Sequence, residues 1–330
     1  MTTTPAPSAD SSSTASVASP AAPPSTPSGS PWLDLVRRPQ RRHLLRLQAS
    51  EGPVAAAPSV VGMLAERLRE TWAARLGLSA SAILPCASVS EALRLVANAA
   101  LLPGDAVRMA RPGQLAWAAA VLSAGAAFVD VGRLIGGAVD PATRDASPAA
   151  RLVILGAPAP TGAMDPHDWP AAPGELRLAD ATLAASLRGQ PSAGADLTLI
   201  VLRDPDAPGT PLLAALCGAP EDILALQLLA GPSPLPERIV RAALAASQRI
   251  DAAAEAAFLL AVVARAERLR SLLTLGPGQR WLPRAGISQA VSCLAADGHA
   301  LAAAAQSQGY SAEAWGAFPG GGLVRCALVA

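Results

Sequence analysis

From Val60 to about Leu229, short unbroken apolar runs take turns with stretches of helical spacing, and this alternation most narrows the folds open to the chain. Leu152–Leu155, Leu176–Ala179 and Leu197–Leu202 show no polar alternation, the pattern of strands buried on both faces of a parallel sheet. Val60, Val61, Leu64, Leu68, Trp72 and Leu76 recur every three or four residues, an amphipathic helix that Gly77 should close. Ser88-Val89-Ser90-Glu91 spells a capping box ahead of a second helix. Strands are expected near Ala106–Met109 and Ala127–Val131, with a helix from Gln114 to Ser123 between them, stopped by Gly125. Pro220-Glu221-Asp222 opens a further helix to Leu229, with proline first and acid in the first turn. Pro236 to about Leu275 reads as mostly helix. A strand (Ile287–Leu294), a helix (Gly298–Gln308) and a strand (Leu323–Leu328) close the chain. The expected architecture is α/β: a doubly wound, mostly parallel sheet over residues 60–235, then a small α+β unit over 236–330. Residues 31–59 would form an N-terminal arm.

Composition removes several classes of function. A net charge of +1 on 330 residues leaves no bulk attraction for nucleic acid or an anionic membrane. Met1–Ser30 is rich in Ser, Thr, Ala and Pro, lacks positive charge and an apolar run, and reads as a disordered tail, not a signal peptide. The apolar run Ala256–Ala264 is too short to span a bilayer. Cys86, Cys217, Cys293 and Cys326 stand far apart in apolar contexts, which predicts buried free thiols in a reducing cytoplasm. His43, His167 and His299 are equally scattered, so no zinc-like spacing exists.

All 26 basic residues are arginine; the chain contains no lysine. Its Ala-, Arg-, Gly- and Pro-rich composition points to a GC-rich coding bias as the cause. Whatever the cause, chemistry that needs a neutral side-chain amine is closed, because a guanidinium stays protonated and offers no lone pair.

Five short motifs follow one another in the order of a known family. Leu47-Gln48-Ala49-Ser50-Glu51-Gly52-Pro53 with Pro58-Ser59-Val60 is similar to "L-x-x-N-E-N-P … S-P-x-V". Ala157-Pro158-Ala159-Pro160-Thr161-Gly162 is similar to "N-P-N-N-P-T-G", and Val201-Leu202-Arg203 to "V-L-R-T-x-S-K". Pro220-Glu221-Asp222-Ile223 is similar to "x-P-E-x-I", and Gly322-Leu323-Val324-Arg325 to a C-terminal arginine strand. Together, over about Leu45 to Leu328, they resemble the fold-type-I pyridoxal-phosphate enzymes, most of all histidinol-phosphate aminotransferase, then threonine-phosphate decarboxylase.

The resemblance implies a cofactor site that this chain fills only in part. The phosphate would sit at the helix start Ser88-Val89-Ser90, residues that equally spell a plain cap. The aspartate that meets the pyridinium nitrogen corresponds to Asp180, although Asp-Ala-Thr is also an ordinary N-cap. Arg325 corresponds to the arginine that forks onto a substrate carboxylate. The ring-stacking aromatic falls at Gln114, the asparagine donor at Ala159, a tyrosine at Leu183, and a phosphate arginine at Leu212 or Leu213. The Schiff-base lysine falls at Ala207, within two residues. The segment carrying a tyrosine lent to the neighbouring subunit is missing between Met63 and Arg67. Gly320-Gly321-Gly322 reads as a turn.

These losses imply a catalytically degenerate homologue with no covalent cofactor, holding pyridoxal phosphate at most weakly. Its expected partners are a second copy or an active aminotransferase, and a small phosphorylated or carboxylate ligand. Two alternatives are an active aminotransferase or decarboxylase by homology, and a repurposed lysine-free enzyme. The second would rest on Asp180, Arg203, Asp204 and Asp206, although Arg203-Asp204-Pro205-Asp206 reads as a solvated turn.

Overall fold

The computed structural model describes residues 59–111, 115–135, 138–139, 150–156, 174–230, 235–318 and 321–329. Helix α1 (Val60–Leu76) opens on Ser59, whose hydroxyl accepts from Gly62 N, and closes on Gly77 at φ 69, a left-handed position that suits glycine. It buries Leu68, Trp72 and Ala73, the inward side of the periodic stripe. Strand β1 (Ile83–Cys86) leads into α2 (Val89–Ala100), and β2 (Ala106–Arg111) into α3 (Leu115–Ser123) and β3 (Ala127–Ile135). After β4 (Ala138–Val139) come β5 (Leu152–Gly156), β6 (Leu176–Asp180), β7 (Leu197–Asp204) and β8 (Ala207–Gly218).

These strands make one sheet in the order β1-β8-β7-β6-β5-β2-β3-β4. Its centre, from β7 through β3, is parallel, while β8 runs antiparallel to both β7 and β1. β5 and β7 are buried along nearly their whole length, which is why their apolar runs show no alternation.

Helix α4 (Pro220–Ala230) packs on the β1 and β8 side, followed by α5 (Glu237–Arg249) and α6 (Ala252–Leu272). A second, four-stranded antiparallel sheet, β11-β12-β10-β9, contains β9 (Arg280–Trp281), β10 (Ser288–Cys293), β11 (Ala312–Phe318) and β12 (Gly321–Ala327). Helix α7 (Gly298–Ser307) covers it. One apolar cluster runs from Trp72 and Ile83 through Leu202 and Leu269 to Val291, Val324 and Leu328, joining both sheets.

Several expectations are corrected. The long helix from Pro236 is two helices, because Asp251 caps a fresh start by accepting from Ala254 N at 2.8 Å. The stretch Pro208–Pro211, just past the position that corresponds to the lysine, is part of β8. Its prolines are tolerated because β1 pairs only with Ala214–Cys217, so the first half of β8 has a single neighbour. Strands β1, β4, β8, β9 and β11 went unread, since they are short or rich in Ala, Gly and Pro. Met63–Arg67 lies within unbroken α1. The motifs at Leu47–Pro58 and Ala157–Gly162, together with Gln114, Ala159 and Gly320, fall outside the described residues, as do the arm and the tail.

Candidate functional site

Strands β5, β6 and β7 are parallel and end at Gly156, Asp180 and Asp204, so their C-terminal ends share one edge of the sheet. β1 runs antiparallel to β8, hence in the same sense as β7, and delivers Ser88 and α2 to that edge. Ligands of open α/β sheets settle in this kind of crevice.

Asp180 is the last residue of β6 and is 3% exposed. No helix follows, so the N-cap reading fails. The Oδ1 atom instead accepts from Thr182 N (3.0 Å) and Thr182 Oγ1 (2.7 Å), a local turn, and Oδ2 accepts from Trp117 Nε1 (2.8 Å). Trp117, 1% exposed, reaches the carboxylate from α3. Sequence reading passed over it; a lone tryptophan in an alanine-rich helix of a chain with only 3% aromatics was the available signal.

Arg203 is the largest surprise. It was expected in a solvated turn, yet it is 2% exposed. Its guanidinium donates to Thr182 O (2.7 Å) and Pro208 O (2.9 Å), and Nε has no partner among the described residues. Burial pushes it down to about 10, so it is still a cation at neutral pH. The turn beyond is held from outside: Arg249 of α5 pairs with Asp204 (2.8 Å) and with Asp206. Of the three carboxylates expected to serve lysine-free chemistry, Asp204 and Asp206 are therefore tied up in ion pairs.

Ala207 is the first residue of β8, exposed, and partnered with Asp204 across the turn. Leu183 is buried just past Asp180, and Leu213 is buried within β8, so neither position carries a polar contact to the crevice.

At α2 the serine half of the capping box is formed, and the glutamate reaches one residue further back than the N-cap. Ser88 Oγ accepts from Glu91 N (3.1 Å), and the Glu91 carboxylate accepts from Ala87 N (2.8 Å). Ser88 is thus spent on its helix, and Glu91 sets a negative charge where an anion would approach. The amides of Val89 and Ser90 and the Ser90 hydroxyl have no partner among the described residues, so they are the donors left for an anion.

Arg325, expected to meet a substrate carboxylate, faces Glu313 on β11 at 3.3 Å with its side chain 22% exposed. The four cysteines are buried and free; burial pushes the Cys86 and Cys217 thiols up to about 12 and that of Cys326 to about 11, which keeps them protonated and inert. Among the described residues no cluster could hold a metal ion, and no helix is long and apolar enough to cross a membrane.

Taken together, the residues do not fit a covalently held pyridoxal phosphate. Asp180 is a carboxylate that could meet a pyridinium nitrogen, but the chain has no lysine to supply the amine that the covalent bond requires.

No family model matches the chain, and no curated protein is similar to it. Solved structures are. Histidinol-phosphate aminotransferase from Sinorhizobium meliloti, in complex with pyridoxal-5′-phosphate, is 16% identical with a TM-score of 0.60, over 92% of this chain and 94% of its own. An Escherichia coli protein with methionine aminotransferase function is 17% identical with a TM-score of 0.62, over 87% and 85%. N-succinyldiaminopimelate aminotransferase from Mycobacterium tuberculosis is 18% identical with a TM-score of 0.59, over 88% and 85%. The chain has the fold of the fold-type-I aminotransferases.

Proposed function

We propose that this chain is an aminotransferase-fold protein that does not carry out the aminotransferase reaction and is retained to bind a small anion or a protein partner. One observation carries the reading: there is no lysine anywhere in the chain, and the position that resembles the family's lysine is the methyl side chain of Ala207. Transamination on pyridoxal phosphate begins with a neutral amine adding to the aldehyde, and removing that nucleophile costs many orders of magnitude. Neighbouring arginines cannot take the role; Arg203, the nearest in sequence, is a buried cation whose terminal nitrogens are spent on two carbonyls.

What the crevice keeps suits a weak anion site. The free amides at the start of α2 and the Ser90 hydroxyl would receive a phosphate, with the helix dipole behind them and Glu91 opposing. The expected affinity is roughly millimolar to high micromolar, about 4–6 kcal/mol.

The test has two arms. Incubation with pyridoxal phosphate and borohydride, read by intact mass, should leave no adduct inside the chain; an adduct away from the N-terminal amine overturns the reading. A thermal-shift series with phosphate, pyridoxal phosphate and histidinol phosphate should show a small, ligand-dependent rise that Ser90→Glu abolishes and Arg325→Ala reduces. No rise with any of the three leaves only the protein-partner role.

A further inference from the structure

Residues Ala181–Gly189, between Asp180 and β7, form no helix or strand, yet they are gripped from four directions. From α6, the Glu255 carboxylate, with its side chain 19% exposed, accepts from Ser186 Oγ (3.1 Å), Leu187 N (3.1 Å) and Arg188 N (3.2 Å). From α1, Trp72 Nε1 donates to Arg188 O (2.7 Å), and Arg188 Nη1 donates back to Arg75 O (3.1 Å). From β7, Arg203 donates its backbone N–H to Leu187 O (2.7 Å) and its guanidinium to Thr182 O (2.7 Å). From the approach to β10, Ile287 N donates to Leu183 O (2.8 Å), and Leu328 N, just past β12, donates to Ile287 O (2.8 Å).

The segment ends on Gly189 at φ 83, where a Cβ would come within 2.8 Å of Ile200 Cβ. Only glycine fits that turn. Irregular backbone buried this deeply must find its hydrogen bonds outside itself, and here they are shared among four parts of the fold. One carboxylate satisfies three donors at once, the strong kind of contact. The apolar cluster continuous from the large sheet into the small one runs beside it.

We propose that Ala181–Gly189 is a latch that fastens the two sheets into one body, with Glu255 as its pin, so that the crevice at Asp180 does not widen by rotation of the small sheet. This holds whether or not the anion-binding reading does, because it concerns the ligand-free chain and needs no ligand to test.

The experiment is hydrogen exchange followed by mass spectrometry on the full chain, beside urea unfolding. Wild type should unfold in one transition, with β10 and β12 exchanging through the same opening as β5–β7. Glu255→Ala should speed exchange in β10 and β12 at least ten-fold more than in β5–β7. Glu255→Gln, which keeps one acceptor oxygen, should fall between, and it decides the matter if the alanine variant does not fold. Faster exchange confined to 181–189, or an equal rise in both sheets, overturns the proposal, because Glu255 would then anchor a loop or merely add general stability. A wild type whose two sheets already open separately overturns it too.

Discussion

Arg203 and Ala207 stand four residues apart and carry opposite consequences. Arg203 donates to the carbonyls of Thr182 and Pro208 from a buried position, so Arg203→Met, which removes both bonds, should cost about 2–4 kcal/mol. Urea denaturation checks this; Arg203→Lys should recover only part, because a single ammonium cannot span the fork. Ala207 is exposed, so Ala207→Lys should fold with a stability change within ~0.5 kcal/mol. It should nonetheless show no turnover of histidinol phosphate in a coupled assay, since a lysine alone brings neither ring clamp nor oxygen donor. Measurable turnover would mean that the crevice is better preserved than its visible contacts imply. Asp180 was legible in the sequence as a candidate because it corresponds to the pyridinium-pairing aspartate of the family that the chain resembles. The buried place of Arg203 was not, because polar neighbours in sequence say nothing about which carbonyls lie across the fold.

At the scale of elements, the start of α4 holds a titratable group where burial opposes charge. Asp222 is 5% exposed, and burial, then Glu221 and Asp196, raises its carboxyl from an ordinary 3.8 to about 7. The folded chain therefore binds more protons than the unfolded one between about pH 4 and 7, and stability falls as pH rises through that window. Asp222→Asn should flatten the dependence and raise the melting temperature at pH 8 by ~2–4 °C, read by calorimetry across pH 5–8. A fall at pH 8 would show that the ionised carboxylate is the stabilising form. Proline and acid announced this helix correctly. What they could not announce is that Asp196, 26 positions earlier, packs close enough to act on it.

For the whole molecule, α1 and α4 leave Val60 (59% exposed), Met63 (53%), Leu224 (52%) and Leu228 (47%) in water. Beside them lies a cavity of about 260 Å³ lined by Ser59, Ala65, Leu84, Gln227 and Leu235 among others. Exposed apolar side chains on two helices beside a recess are the kind of surface that association covers. We expect a homodimer through this face, with Met63→Glu or Leu228→Arg giving the monomer mass in solution scattering at micromolar concentration. A wild-type monomer would contradict it. The missing lysine does not bear on this point, since burial of these side chains favours association whether or not the crevice is active.

The primary sequence by itself determined the alternation of helix and strand in the large sheet's parallel centre, the free buried thiols and the closed route to Schiff-base chemistry. Each follows from local spacing or from the identity of a residue, which need no neighbours to act. Only the tertiary structure decided that Trp117 meets Asp180, that the Glu91 carboxylate accepts from Ala87 N, and that Arg325 faces Glu313. It alone set Glu255 beneath a loop 67 to 69 residues away. Those pairings depend on which hydrogen-bonding groups folding strips of water together, and sequence distance carries no record of that.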